Sequence, residues 1–276
     1  YFPALIEGKQ MQVSDLIHFK GMSKEIQDYR ESTGEEALWT NSMFSGMPSY
    51  LISTKYPGNL IESLKEWFYV IPRPASYLIL SFSLFFILGL TFGVTPWLAF
   101  AGALAYGFSS FFFIVIQAGH ASKAHTLTFM ALVVTGVIYA YQKNRYWGSI
   151  IAAVGLSWMI AANHPQMTYY AGIMIAILGI TYLVYAIKEK QLGAFGKTSA
   201  LLVVAALLAV GTNFSRLYTT YEYGKYSMRG KSDLTPTDDK TSGLDKSYIL
   251  DYSYDFGEAM TAFIPRFKGG GMSEDV

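Results

Sequence analysis

Six long apolar segments follow one another through the middle of this chain, separated by very short polar connectors: Ser76–Thr95, Trp97–Ile116, Thr126–Tyr141, Tyr146–Ala162, Met167–Ile187 and Thr198–Thr212. A bilayer core takes a helix of about 20 mainly apolar residues, with roughly 17–25 usual. Two of the segments fall slightly short of that. Taken singly they read as buried core helices, but in series with such short connectors they read as spans. The expected fold class is therefore all-α: a polytopic helical membrane protein with six transmembrane helices and a large extracytoplasmic first loop.

Charge supplies an orientation, because Lys and Arg accumulate in cytoplasmic loops. Lys143 and Arg145 lie in the connector Gln142–Arg145, and Lys188, Lys190 and Lys197 in Lys188–Lys197, where Glu189 is the one acid. These two connectors share a side by parity, with Thr95-Pro96, and that side is predicted to be cytoplasmic. Gln117–His125 and Asn163–Gln166 then face outward, with the long segment before Ser76 and the tail after Arg216. The organisation expected is an extracytoplasmic loop with interfacial helices over 1–75, a bundle of six helices over 76–216 and a truncated extracytoplasmic segment over 217–276. The absence of an initiator Met and of a signal-peptide pattern at Tyr1–Ile6 suggests a fragment, preceded by a further membrane helix.

Hydrophobic residues make up 52% of the chain and charged residues 15%, with a net charge of +1. A nucleic-acid binder would show a basic stripe. There is no cysteine, which excludes disulfides, thiol chemistry and cysteine metal sites. The apolar segments carry no Asp, Glu, Lys or Arg. Ion pathways and proton relays need such groups within the membrane. The small residues Gly102, Ala103 and Gly107, and Gly172, Ala176 and Gly179, are expected at close helix contacts.

Within the first loop, Ser23–Glu31 reads as a helix ended by Gly34. Leu38–Tyr50, rich in Trp, Met and aromatics but broken by Gly46 and Pro48, reads as a segment lying in the interface. Ile61–Val70 reads as an interfacial amphipathic helix, and Arg229–Gly243 as a loop.

All four histidines fall on the predicted outer side. Asp15 and His18 are spaced to share a helical face. The plain alternative is an N-cap at Ser14 or Asp15 and a solvated histidine. His120, Lys123 and His125 stand among small residues. Such residues let a ligand approach the backbone, while lysine brings fixed charge and imidazole brings donors or acid–base groups; a solvated turn whose lysine reaches headgroups is the alternative. Pro165 holds the residue before it extended and so presents His164, next to Gln166. No histidine spacing matches a zinc motif, and no metal site is assigned. Asp255 and Glu258 form a second acidic candidate, with a capping pattern as the alternative.

The stretches QMQVSDL, GMSKEIQDYRESTGEEALWTNSMFSGMPSY, QAGHASKAHTLTFM, NHPQMTYY and FIPRFKGG together resemble the YfhO-like bacterial membrane proteins, over essentially the whole chain. That family looks related to the GT-C class of polytopic glycosyltransferases. The resemblance implies a GT-C-like fold in the bacterial cytoplasmic (inner) membrane. It also implies an enzyme that takes a sugar from a polyprenyl-phosphate-linked donor and places it on an extracytoplasmic cell-envelope glycan or polymer. Asp15 matches the catalytic acidic residue near the start of the first outer loop in that class. His18, His120, Lys123, His125, His164 and Gln166 are then the expected substrate-binding set, with Asp255 and Glu258 as alternative acids. The cofactor is not named by the sequence; a divalent cation assisting departure of the sugar phosphate is the class this reading admits. Expected partners are the lipid-linked donor, membrane lipids and the acceptor, with no nucleic acid. The competing functions are a transporter or flippase of lipid-linked glycans and a non-catalytic scaffold for envelope assembly.

Overall fold

The computed structural model describes Glu7, Lys9 and residues 13–56, 58–69 and 71–227, and of the remainder 250, 253, 256–264 and 267–268. Tyr1–Ile6, Asp255, the loop expected at Arg229–Gly243 and the glycine-rich tail lie outside the described residues. The chain is mostly helical and divides into two compact units. One comprises the residues up to Met22 and Lys55–Asn213; the other comprises Ser23–Thr54 and the chain from Phe214 on.

In the first unit every apolar segment is helical. α1 (Ser14–Thr33) begins there, followed by α2 (Leu60–Glu66), α3 (Ala75–Thr91), α4 (Pro96–Gly107), α5 (Ser110–Gln117), α6 (Ala121–Gln142), α7 (Arg145–Ala161), α8 (Pro165–Lys188) and α9 (Leu192–Thr212). Among the described residues, four stretches are long and apolar enough to cross a membrane: α4 continuing into α5, then α6, α8 and α9. That marks the protein as membrane-embedded. α3 and α7 have 17 residues each, about 26 Å of helix, slightly less than the ~30 Å of a hydrocarbon core.

Local chemistry sets the helix ends. α5 closes in a Schellman turn. Gly119 takes φ +82° and donates to the Ile116 carbonyl at 3.1 Å, while the His120 N–H reaches Val115 at 3.0 Å. Glycine meets no Cβ penalty in this left-handed conformation. α6 therefore starts at once, at Ala121 rather than at Thr126, and the connector expected over Gln117–His125 shrinks, leaving Lys123 and His125 in the first turns of a helix. α8 ends the same way, with Lys190 at φ 54° and the Gln191 N–H on Ala186 at 2.8 Å. The Asn144 side chain caps α7 by accepting from Tyr146 and Trp147 at 3.0 and 3.1 Å.

α6 is the axis of the bundle, with most of its length buried, whereas α8 and α9 are largely exposed. Glycines bring α6 and α7 together: a Cβ on Gly136 would lie 2.7 Å from Ala152 Cα, and one on Gly148 would overlap the backbone of Ala140. Gly107 serves similarly, since a Cβ there would strike the Phe82 ring, and Ala103 is 2% exposed. Gly172 and Gly179 do not: nothing lies within 4 Å of either added Cβ, and Ala176 is exposed. Among the described residues, nothing packs on these glycines. Phe129, Val133, Met159 and Ala171 form one part of the core, with Phe68 and Trp158 against it. The segment leading into α3 is tied down here. Trp158 Nε1 donates to the Ile61 carbonyl at 2.8 Å, Phe68 meets Trp158 edge-on at 4.9 Å, and Asn59 donates to the Thr212 carbonyl at 2.8 Å. Helix therefore covers only the first part of Ile61–Val70; a 3₁₀ turn follows at Trp67–Tyr69.

In the second unit, Leu38–Tyr50 folds back on itself as a short antiparallel pair, β1 (Trp39–Thr40) with β2 (Met47–Pro48). Gly46, at φ +121°, lies where a Cβ would come within 2.8 Å of the Trp39 indole. Glu25, on α1, accepts from the Thr40 hydroxyl and from the N–H groups of Asn41 and Ser42, both at 3.0 Å. Those bonds, the Thr40 hydroxyl foremost, hold its carboxyl below the usual range. Arg30 grips Glu36 at 2.5 and 2.8 Å and the Ser53 carbonyl at 2.9 Å. α1 runs on to Thr33, and Gly34 at φ +76° ends it as expected. α10 (Phe214–Gly224) and the single-turn α11 (Phe256–Ala259), which carries Glu258, also belong to this unit.

Candidate functional site

The turn at Gly119 does more than end a helix. A Cβ at Gly119 would lie 2.9 Å from Val13 Cγ2 and 3.2 Å from Asp15 Cβ. The absence of a side chain lets the start of α1 settle directly on the turn between α5 and α6. Val13 offers its carbonyl to the N–H groups of Leu16 and Ile17, both at 3.1 Å, so Asp15 stands in the first helical turn. A carboxylate is favoured at that end of the helix dipole.

Asp15 consequently meets His120. Its Oδ2 lies 3.4 Å from His120 Nε2, and both side chains are about half exposed. The gap exceeds the usual 2.7–3.2 Å of a hydrogen bond, but the pair is open to solvent and within reach of a further group. One turn along, Lys123 holds its ammonium 5.8 Å from the Phe111 ring centroid, a cation–π arrangement that aims the charge from one side.

His164 joins from the next connector. Asn163, at φ 59°, closes α7, and His164 then caps α8: its Nδ1 accepts from the Met167 N–H at 3.3 Å. That bond assigns the lone pair to Nδ1 and leaves the proton on Nε2, as a donor. Burial, then the charge of Lys123 and the weaker influence of His120, pushes the His164 imidazole below its ordinary range, against the raising effect of a bond with its own backbone. It is therefore neutral at neutral pH.

The other candidates are placed differently. His125 is 7% exposed; it turns into the bundle, edge-on to Tyr77 at 4.6 Å and tilted against Phe129 at 6.2 Å. Arg73 lies 6.0 Å from the centroid of the same Tyr77 ring. His18 is exposed on α1. Gln166 donates to the Tyr170 hydroxyl at 3.0 Å. Glu258 belongs to the second unit, and Asp255 lies outside the described residues. Asp15, His120, Lys123 and His164 thus gather at one end of the bundle, while His125 forms the buried layer behind. Sequence spacing did not reveal the Phe111 support, the capping role of His164 or the contact at Gly119; the glycine before His120 was the one legible sign of the last.

Chemically, the cluster combines an accessible carboxylate, a neighbouring imidazole, a fixed cation and a neutral imidazole donor. Among the described residues no three His, Asp or Glu side chains gather to hold a metal ion. Comparisons with family models, with curated proteins and with solved structures return no match.

Proposed function

We propose that the chain is part of a multi-pass membrane glycosyltransferase of GT-C type, moving a sugar from a polyprenyl-phosphate lipid to an extracytoplasmic acceptor of the bacterial envelope. The observation that carries this reading is the meeting of Asp15 with His120, beside Lys123 and His164, at the end of an apolar helical bundle. A lipid-phosphate donor keeps its tail in the bilayer and its charged head at the surface, which is where such a cluster serves it.

In this reading the acceptor hydroxyl oxygen attacks the anomeric carbon. The bond from that carbon to the phosphate oxygen breaks, and the polyprenyl phosphate departs with the bonding pair. Asp15 takes the hydroxyl proton, which requires hydrogen-bond reach of that group. His120 orients the carboxylate. Lys123 and the Nε2–H of His164 face the phosphate, where charge-assisted hydrogen bonds are strong. A divalent cation at this end would have Asp15 as its carboxylate, with phosphate oxygens and water completing its shell, a common arrangement for magnesium. The six apolar helices are read as six spans, α3 and α7 fitting by local thinning of the bilayer, with Gln142–Arg145 and Lys188–Lys197 on the cytoplasmic side.

Asp15→Asn keeps size and removes the base. In the full-length protein it is expected to lower transfer of a labelled sugar from polyprenyl phosphate by about 10²–10⁴-fold, with membrane insertion intact. Near-normal transfer by Asp15→Asn, together with loss in Glu258→Gln, would move the base to Glu258.

A further inference from the structure

A second polar site lies at the opposite end of the bundle. α6 separates the two ends by its 22 residues, about 33 Å. There the connector between α6 and α7 meets the end of α8 and the start of α9 around a cavity of about 600 Å³, within the ~300–1,000 Å³ typical of small-molecule sites. Its wall carries Lys143 and Arg145, and no acidic residue lines it. Among the described residues neither cation has a carboxylate within ion-pair distance. Arg145 is half-buried and Lys143 exposed.

Ring stacking and hydrogen bonds join the rest of the wall. Tyr141 stacks on Tyr182 at 4.4 Å and on Phe195 at 5.5 Å. Its hydroxyl is bonded to that of Ser199 at 2.8 Å, and Gln142 donates to the Tyr182 hydroxyl at 2.9 Å. Because the Tyr141 ring already stacks on two others, the arrangement offers less to a planar base than to a compact anion held by forked and point-like cations. Beside the cavity rise α8 and α9, whose apolar windows are only 11% and 17% buried. Acyl chains attached to an anion in the cavity would run along those faces.

We propose that this cavity binds the phosphate head group of an anionic membrane phospholipid, with Lys143 and Arg145 on the phosphate and the chains against α8 and α9. The inference does not depend on the transferase reading. It concerns the other end of the bundle and residues that reading does not use.

The test uses the whole chain in nanodiscs of phosphatidylcholine containing a minority of phosphatidylglycerol, followed by native mass spectrometry of retained lipid. The native chain is expected to keep phosphatidylglycerol in preference to phosphatidylcholine. With two charge-assisted bonds lost, Lys143→Gln/Arg145→Gln should retain on the order of a hundredfold less. Lys188→Gln, whose residue does not line the cavity, should retain the native amount. Phosphatidylglycerol should also raise the melting temperature of the native chain in detergent and not that of the double variant. Equal retention of the two lipids, or unchanged retention by the double variant, would overturn the proposal. So would release of the lipid by millimolar inorganic phosphate, which would assign the cavity to a soluble phosphate.

Discussion

Gly119 is the residue on which the candidate site turns. It meets two demands at once: a left-handed conformation and the close approach of Val13 and Asp15. Alanine satisfies neither. Gly119→Ala is expected to cost about 1–3 kcal/mol from the backbone conformation alone, with a further displacement of Val13. Cysteines placed at Asp15 and His120, in a chain that has none of its own, should join through a short bifunctional reagent. Adding Gly119→Ala should lower both the joining yield and the melting temperature. If both stay unchanged, Asp15 reaches His120 by some other support. His120 and His125 differ at the same level of detail. One faces water beside a carboxylate and the other lies buried on Tyr77, although the connector Gln117–His125 was expected to present them together.

Among the helices, α6 and α7 carry the packing. Each is apolar on nearly every side, as expected of a helix that lies among others or in lipid, so composition does not reveal which face a neighbour covers. Gly148 and Gly172 look alike as sequence and differ in surroundings: the first sits on Ala140, the second against nothing within 4 Å. Gly148→Leu is therefore expected to destabilise by at least ~1–3 kcal/mol through overpacking. Gly172→Leu should stay within about 0.5 kcal/mol or gain slightly from helix propensity. Unfolding of the two variants in detergent separates them, and equal losses would mean that α8 has a packed face at Gly172.

For the molecule as a whole, the testable property is its direction across the membrane. The two ends of α6 differ in kind: Asp15, His120, Lys123 and His164 gather at one, and the Lys143–Arg145 cavity occupies the other. From the distribution of lysine and arginine we propose that the second end faces the cytoplasm. In intact cells, an impermeant thiol reagent should label Ser122→Cys and leave Asn144→Cys untouched; the reverse pattern would invert the assignment and put the anion cavity outside.

What could be read from the residues alone is local in origin. The apolar segments, the glycine that ends α1 and the absence of charge within the segments all follow from interactions over a few neighbours or from solvation of one segment, and these need no partner in space. The start of α6 escaped that reading because the Schellman turn at Gly119 completes its bonds within two residues, leaving no room for the longer loop that polar side chains at Lys123 and His125 suggested. The folding of Leu38–Tyr50 escaped it too, since the fold-back depends on Glu25, a carboxylate from another element that collects the Thr40, Asn41 and Ser42 donors. Contact between Asp15 and His120, the burial of His125 and the cavity around Arg145 arise from which helix faces meet. That choice rests on small differences in close packing between surfaces of nearly equal hydrophobicity, and the linear order of apolar residues does not encode it.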